Sequence, residues 1–295
     1  METATIDNKV KQVISNIRNL PTPPIVFHQI QKVISDPNSS AGQVASVLAE
    51  DPAMSVKVLK LTNSAFYGLA REIESVKHAV MIVGMEAIKN LVLSASVLDM
   101  FKSSDIDQEF QEAFWRHSLA TAFCGRLLAR RLNAHGMVDP DTAFSSGLLH
   151  DVGKLIISCF LPEENAKFQE ARKDDEESPD FEVEERALGF NHAQVGGFLA
   201  TQWKLPKRLA DSISYHHRPQ LSEDELPVAY LVHLGDHIAR KTFLDPKRGD
   251  IIGSLEDGVM EFLQITDDDM MTFVALLREE YVKAETFMQM AGMSS

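Results

Sequence analysis

The sequence GLLHDVGKL, residues 147–155, places a histidine and an aspartate side by side within an otherwise apolar helical pattern. His150 offers an imidazole nitrogen, and Asp151 offers a carboxylate that can bridge two metal ions. Lys154 follows one helical turn after His150, where its ammonium group can stabilise charge on phosphate oxygens. The segment therefore indicates a site for metal ions, and for phosphate, carried by helices.

Other metal-capable residues lie before and after this pair at intervals much longer than those of a zinc finger. Such spacing is typical of a helix bundle that contributes one ligand, or an adjacent pair, from each helix. Mixed imidazole and carboxylate ligands suit Fe, Mn, Ni or Zn. Two ions of this kind can clamp a phosphoryl group between them. The candidate set is His117, His150, Asp151, His192, His216, His217 and Asp236.

The joint pattern carries this prediction, because a single histidine on a helix is more often exposed or hydrogen-bonded than a ligand. The pair His216-His217 also suits a helix C-terminus, where the helix dipole favours positive charge. His233 and His237 flank Asp236, but the three side chains cannot all point at one site. Five histidines are left without a role: His28, His78, His135, His233 and His237.

The charge balance restricts the kinds of partner. The chain has 295 residues, with 29 Lys and Arg against 43 Asp and Glu, and a net charge of −14. An acidic surface argues against a nucleic acid or an anionic membrane as the main partner. It leaves open a phosphorylated small molecule or a nucleotide, which metal ions or a local positive charge can hold.

The chain is expected to be cytoplasmic. Cys124 and Cys159 are too few for a disulfide framework, which fits a reducing compartment. The N-terminal residues lack the apolar core of a signal peptide. Glu86, Lys89 and Asn90 interrupt the longest apolar stretch, residues 79–101, so no membrane span is predicted.

The periodic segments all favour helices, and the predicted fold class is all-α. Capping signals mark helix starts at Ser40, Asp51-Pro52, Ser75, Asp139-Pro140 and Thr266. The sequence Lys204-Leu-Pro206 ends one helix and begins another. We expect Arg172–Arg186, which is rich in acids, to be a solvated loop, and 241–250 to be a second polar break.

Several motifs resemble a known family. The segment 147–155 is similar to the His-Asp signature of the HD superfamily of metal-dependent phosphohydrolases. NHAQVGGFLATQWKLP, YHHRP and LVHLGD follow it in the order expected of that superfamily. LPTPP at 20–24, AEDPAMSVKVLKLTNSAFYG at 49–68 and VKHAVMIVGMEAIKNLVL at 76–93 resemble the N-terminal half of an HDOD domain.

This resemblance implies a multi-helix HD-type bundle with an N-terminal helical subdomain, used in bacterial signal transduction. The implied division is an N-terminal half at 1–110, a metal-binding core at 111–245 and a helical extension at 246–295. Many HDOD domains have lost their metal ligands, whereas this sequence retains the set of a binuclear HD-GYP-type site. One ion would be held by His117, His150 and Asp236, the other by His192, His216 and His217, with Asp151 bridging.

Two departures limit the resemblance. Arg218-Pro219 follows the histidine pair where the cyclic di-GMP phosphodiesterases carry Gly-Tyr-Pro, which puts that substrate in doubt. Ala113 stands where some relatives carry a glutamate for a third ion, so two ions are expected, Fe or Mn first and Ni or Zn as alternatives.

Three functions stay open at this point. The first is a regulatory module that binds metal and protein partners of a signalling pathway. The second is a phosphohydrolase of nucleotides or cyclic dinucleotides, with Asp151 and Lys154 as catalytic residues. The third is a metal-free scaffold whose polar residues bond one another. The C-terminal helix, with its methionines, is expected to pack on the core, and a homodimer contact is the alternative.

Overall fold

The computed structural model describes residues 2–17, 20–64, 67–101, 107–132, 138–222, 226–243 and 253–290. All regular secondary structure in these ranges is helical, which confirms the all-α fold class. The helices are α1 (Glu2–Ser15), α2 (Ile25–Ile34), α3 (Ala41–Ala49), α4 (Pro52–Thr62), α5 (Val76–Val83), α6 (Met85–Phe101), α7 (Gln108–Leu132), α8 (Pro140–Leu149), α9 (Val152–Phe160), α10 (Pro162–Asp174), α11 (Asp180–Leu188), α12 (His192–Gln202), α13 (Lys207–Tyr215), α14 (Leu226–Phe243), α15 (Val259–Leu263) and α16 (Asp267–Met290).

The chain forms two compact units. Unit 1 comprises residues 1–20 and 105–278, and unit 2 comprises residues 21–104 and 279–295. The division into 1–110, 111–245 and 246–295 stays a prediction.

The predicted capping signals coincide with helix starts. The Ser40 side chain accepts a hydrogen bond from the Gln43 N–H and completes a capping box. Asp51, Ser75 and Asp139 accept from the backbone N–H three residues later, at 2.9, 3.2 and 2.8 Å. Each bond satisfies an N–H that the first turn of a helix leaves without a partner.

The core of unit 2 consists of the apolar faces of these capped helices. Phe27 and Ile30 of α2, Leu48 of α3, Val58 of α4 and Ile88 of α6 are fully buried. Each such side chain contributes about 1.5–3 kcal/mol relative to leaving it exposed. Apolar residues three to four positions apart within a helix form such a buried face.

In unit 1, α7 packs against α8 and α14, while α9 and α13 pack against α12. The contact of α9 with α12 is a close approach between backbones. A Cβ atom added to Gly153 would lie 1.9 Å from the His192 carbonyl oxygen and 2.8 Å from the Gly196 nitrogen. Glycine at 153 thus lets the helix after Asp151 lie directly against the helix that begins with His192.

The prediction of a solvated loop over Arg172–Arg186 is wrong. Helix α10 continues to Asp174, and α11 begins at Asp180, so only a short turn connects them. In that turn the Arg172 guanidinium donates to the carbonyl oxygens of Asp175 and Ser178 at 2.9 and 2.7 Å. Of the acids that suggested a loop, only Asp175, Glu176 and Glu177 lie in the turn, and the others belong to the two helices. Of the second predicted break, residues 241–243 end α14, and residues 244–250 lie outside the described residues.

The predicted C-terminal helix is present as α16, and Thr266 and Asp269 cap it reciprocally. Met270 is buried and Met271 is exposed; the side chains of Met288 and Met290 lie outside the described part. Whether this helix forms a homodimer contact stays a prediction. Over the described ranges no single helix is long and apolar enough to cross a membrane, although two sharply bent helix pairs, 76–101 and 140–174, reach that length and composition together.

Candidate metal centre

The His-Asp pair lies at a break between two helices. The sequence predicted both residues on one helix, but α8 ends at Leu149 and α9 begins at Val152. On a continuous helix, consecutive side chains diverge by about 100°. The break therefore allows His150 and Asp151 to face the same site. The pair His216-His217 likewise follows the last residue of α13, Tyr215.

One group of candidate ligands surrounds His117 on α7. Its Nε2 lies 3.3 Å from His150 Nε2, 3.6 Å from Asp151 Oδ2 and 2.9 Å from Asp236 Oδ1. Asp236 Oδ1 also lies 3.8 Å from His150 Nε2. The side chains of His150, Asp151 and Asp236 are at least nine-tenths buried, and that of His117 is 22% exposed, so two imidazoles and two carboxylates converge with little access to water.

A second group contains Asp151, His192, His216 and His217, whose nearest ligand atoms all lie within 4.8 Å of one another. His192 Nε2 is 2.9 Å from His217 Nε2 and 3.0 Å from Asp151 Oδ1. His216 Nε2 is 3.5 Å from the same Asp151 oxygen. Asp151 belongs to both groups, with Oδ1 towards one and Oδ2 towards the other.

Two histidines are oriented by the turn that precedes them. His150 Nδ1–H donates to the Gly147 carbonyl oxygen at 2.7 Å, and His216 Nδ1–H donates to the Ile213 carbonyl oxygen at 2.8 Å. A carbonyl oxygen only accepts, so Nδ1 carries the proton in each ring. Nε2 then presents its lone pair to the cluster, which is the form that binds metal.

His192 is oriented by Glu184, a residue that the sequence reasoning missed. The Glu184 carboxylate, buried on α11, accepts from His192 Nδ1–H at 2.6 Å and from the His192 backbone N–H at 2.7 Å. Burial alone would lower the pKa of His192, but the carboxylates of Glu184 and Asp151 together outweigh it and raise this pKa to about 9. A carboxylate behind a ligating histidine increases its basicity and fixes its ring.

Helix α11 supplies further contacts to the site. Phe181 stacks on His217, with ring centroids 4.2 Å apart and an interplanar angle of 16°. Asp180 faces the Lys154 and Arg172 side chains. Glu184 lies four residues after Asp180 and three after Phe181, and both spacings make side chains neighbours on a helix surface. These spacings were visible in the sequence, but the prediction of a solvated loop over Arg172–Arg186 left them unused.

Arg240 on α14 is a second residue that the sequence reasoning missed. Its Nε donates to Asp236 Oδ1 at 2.8 Å, and its side chain is 18% exposed. Burial alone would raise the pKa of Asp236, but Arg240 and His117 hold it well below its usual range. Arg240 lies four residues after Asp236, a spacing that places both on one helix face.

Charge at the centre of the cluster is balanced by Lys154, whose Nζ lies 2.8 Å from Asp151 Oδ2. Burial alone would raise the pKa of Asp151, but the charges of His150 and Lys154 hold it well below its usual range. Burial lowers the pKa of His216 to about 4, and burial together with His216 lowers that of His217 well below its usual value. At neutral pH the cluster therefore presents an ionised Asp151 carboxylate beside the neutral imidazoles of His216 and His217, whereas His192 with its raised pKa keeps a proton that a metal ion must displace.

The donor atoms fit metal ions better than they fit one another. Asp151 Oδ1 and His216 Nε2 are buried and lack a hydrogen-bond partner among the described residues, which is costly unless a further group meets them. Two ligand atoms at right angles, each about 2.1 Å from one ion, lie about 3.0 Å apart. The 2.9 and 3.3 Å separations between paired Nε2 atoms match that spacing.

A cavity of about 190 Å³ in unit 1 opens onto the cluster. His192, His217 and Asp236 contribute to its inner wall, and the cationic side chains of Lys154 and Arg240 lie beside them. A ligand in this cavity would contact both candidate metal ligands and positive charge.

Of the five histidines without a predicted role, His233 has a structural one. Its Nδ1–H donates to the His216 carbonyl oxygen at 2.7 Å, and its Nε2 accepts the Glu256 N–H at 3.0 Å. His233 thereby connects the end of α13 to the segment at 253–256 that lines the cavity. His237 lines the same cavity, His28 and His78 belong to unit 2, and His135 lies outside the described residues.

Known structures resemble this chain over nearly its whole length. An HDOD domain protein of unknown function from Geobacter sulfurreducens matches with a TM-score of 0.76 and 26% identity, covering 99% of both chains. A Marinobacter aquaeolei VT8 protein, provisionally named as a signal transduction protein, matches with a TM-score of 0.76 at 20% identity; the match covers 99% of this chain and 66% of that one. A Shewanella amazonensis SB2B protein, provisionally named as a metal-dependent phosphohydrolase, matches with a TM-score of 0.65 at 19% identity, covering 97% and 99%. At these lower identities the likeness shows the fold alone.

Sequence comparison identifies the family. An uncharacterised Treponema pallidum protein is 25% identical over 234 residues, and this chain spans 44% of the length of that curated relative. The sequence profile of the HDOD domain matches residues 20–219, which is more than half of the chain. The protein therefore belongs to the HDOD domain family.

Proposed function

We propose that the chain is a regulatory HDOD module of bacterial signal transduction that holds two divalent metal ions. The first ion would be bound by His117, His150 and Asp236, and the second by His192, His216 and His217. Asp151 would bridge them. The module would present this centre to protein partners or to a phosphorylated small molecule or nucleotide.

The observation that carries the proposal is the position of Asp151 between the two groups. Its side chain is 1% exposed, Oδ2 faces His117 at 3.6 Å and Oδ1 faces His192 at 3.0 Å. Oδ1 lacks a hydrogen-bond partner among the described residues. A buried carboxylate with donors of two separate groups on its two oxygens is the arrangement that a bridged pair of ions requires.

The donor types select the metal class. Each proposed ion has imidazole nitrogens together with carboxylate oxygen, which suits Fe or Mn, with Ni or Zn as alternatives, and disfavours the all-oxygen ions Ca²⁺ and Mg²⁺. Cys124 on α7 is not in the proposed ligand set, and burial raises the pKa of its thiol, which disfavours the thiolate form that binds metal.

A second candidate function, hydrolysis of a phosphodiester, is favoured by the surroundings of Lys154. Its Nζ contacts Asp151 Oδ2 and its side chain lines the cavity, so it can hold a phosphate oxygen next to the metal centre. Two metal ions would supply charge stabilisation for the attacking and leaving oxygens. Lys154 and Arg240 would position the phosphate and offset its charge.

The two functions are separated by metal analysis followed by an activity assay. The protein is purified without oxygen, its metal content is measured, and hydrolysis of bis(p-nitrophenyl) phosphate is followed with added Mn²⁺ or Fe²⁺. Two ions per chain without turnover support the regulatory module. Turnover that Asp151→Ala abolishes, and that Asp174→Asn at an exposed position leaves unchanged, would establish the phosphohydrolase instead. A protein without metal under these conditions would leave only the scaffold.

A further inference from the structure

Three cationic side chains among the described residues line the cavity beside the candidate metal centre. Lys154, Arg172 and Arg240 come from α9, α10 and α14, and their side chains are 16, 21 and 18% exposed. They are mostly removed from water, where a charge interacts more strongly with its neighbours than at the surface. Lys154 and Arg240 also contact the proposed ligands Asp151 and Asp236.

The Asp180 carboxylate lies among these cations at the mouth of the cavity. Its Oδ1 is 3.3 Å from Arg172 Nε and its Oδ2 is 4.0 Å from Lys154 Nζ. Burial alone would lower the pKa of Arg240, but neighbouring carboxylates, Asp236 foremost and Asp180 among them, raise it. Asp180 is 38% exposed, in contrast to the 1% of Asp151.

The fold uses the Asp180 charge only weakly, as an acid in the first turn of α11 and as an ion-pair partner of Arg172. Asp180 is the first residue of α11, where the N-cap position belongs to Pro179 and no side-chain cap bond forms. The turn before it is held by Arg172 and by the Asp175 carboxylate, which accepts the Ser178 N–H at 3.0 Å. A partly exposed acid can turn towards water, and an anionic ligand that takes its place keeps the mostly buried cations compensated.

The geometry points to an anion subsite formed by Lys154, Arg172 and Arg240, which binds a phosphate group of the ligand after the Asp180 carboxylate moves aside. The ligand class is a molecule with an anionic group beyond the one that contacts the metal ions, such as a phosphorylated nucleotide. That the same ligand also contacts the metal ions rests on the proposed function. The anion subsite formed by the three cations does not depend on it.

The charge requirement follows from electrostatics. A singly charged group gains little by replacing Asp180, since one carboxylate is exchanged for one anion. A phosphate carries more charge and offers more acceptor oxygens than a carboxylate, so it can engage two or three of the cations at once. Asp180 thus sets a threshold that favours phosphate over carboxylate ligands.

The test measures inorganic phosphate binding at constant ionic strength by ³¹P NMR, in the full chain, with and without Mn²⁺. Removing the competing charge in Asp180→Asn is expected to tighten binding about tenfold, and Arg172→Gln is expected to weaken it by a similar factor. Glu170→Gln and Lys173→Gln make the same charge changes at exposed positions of α10 and are expected to bind as the wild type does. Melting curves establish that each variant is folded, and if the turn at 175–178 fails in Arg172→Gln, the comparison of Asp180→Asn with the wild type decides.

The outcomes distinguish this inference from the proposed function. Absence of Mn²⁺ binding defeats the proposed function. The subsite is still supported if phosphate affinity in the metal-free protein falls in the order Asp180→Asn, wild type, Arg172 variant. Equal phosphate affinity of Asp180→Asn and the wild type in both states would overturn the subsite, whatever the metal content.

Discussion

Polar residues at helix ends have different tasks in unit 2 and beside the candidate metal centre of unit 1. In unit 2, Ser40, Asp51 and Ser75 occupy N-cap positions, and each side chain accepts a backbone N–H of the helix it begins. In unit 1, Asp151 occupies the same position before α9 and makes no cap bond. Its carboxylate is instead directed to Lys154 and the histidines. Unit 1 thus gives up local helix stabilisation where the chemistry of the site needs the side chain.

The same contrast applies to helix C-termini. Gly84 ends α5 with a φ of 93°, a conformation that only glycine adopts readily. His150 and His216 follow α8 and α13 in ordinary helical conformation, and their rings are held by carbonyl oxygens three residues earlier. A helix end that carries a ligand is therefore fixed through its side chain rather than through a glycine.

The largest effect is expected for Asp151→Asn. An amide cannot bridge two cations as a carboxylate does, so the variant should lose both ions where the wild type binds two. The measurement is metal content after dialysis against Mn²⁺ or Fe²⁺. Asp174→Asn makes the same charge change at an exposed position and should retain the metal of the wild type. Two ions retained by Asp151→Asn would mean that the two ligand groups act independently.

Gly153→Ala should cost several kcal/mol of stability or prevent folding, because its methyl group overlaps the His192 carbonyl oxygen at 1.9 Å. The helices α9 and α12 would have to separate, and with them Asp151 and His192. Gly42→Ala in α3 of unit 2 is the matched control, since the nearest atom to its added Cβ is Ser40 Oγ at 3.7 Å. It should raise stability by about 0.4–1 kcal/mol. Urea unfolding of both variants measures the contrast, and similar results for the two would contradict it.

Glu184→Gln should weaken metal binding by about 10–100-fold through loss of the carboxylate behind His192. Glu184, together with Asp151, raises the pKa of His192 to about 9, so below that pH a metal ion must displace a proton from the ring. The affinity of the wild type is expected to rise with pH up to about 9, and in the variant this rise should end at lower pH. Mn²⁺ titration over a pH series measures both effects.

Glu182→Gln on the same helix, with its side chain 43% exposed and paired with Arg186, is the control. It should change neither the affinity nor its pH profile. A Glu184→Gln variant with reduced affinity and an unchanged profile would show that Glu184 acts only by packing.

The sequence predicted unit 2 more fully than the surroundings of the site. Caps and apolar periodicity are local signals, and at Ser40, Asp51 and Ser75 a capping residue is followed directly by a helix with an apolar face. The candidate ligands were identified from their residue types and the family resemblance, and the structure brings them together. Glu184 was not predicted because its partner, His192, lies on another helix. Arg240 was not predicted because its role is recognised only once Asp236 is known to face inward. The acidic composition of 172–186 suggested solvation, whereas tertiary contacts of α11 decided its structure.

The smallest effect concerns the caps themselves. Asp51 and Asp139 both precede proline, and both accept the N–H three residues later, at 2.9 and 2.8 Å. Replacing Asp51 by alanine should cost about 1 kcal/mol in urea unfolding without changing metal content, because the lost bond belongs to α4 of unit 2. Asp139→Ala should cost at least as much, since Asp139 Oδ2 also accepts from Thr142 Oγ1 at 3.0 Å. Glu50→Ala, next to Asp51 but without a capping bond at the start of α4, should stay within about 0.5 kcal/mol of the wild type. A loss of metal in Asp51→Ala would show that the stability of unit 2 is coupled to the site, and the division of tasks between the two units would then fail.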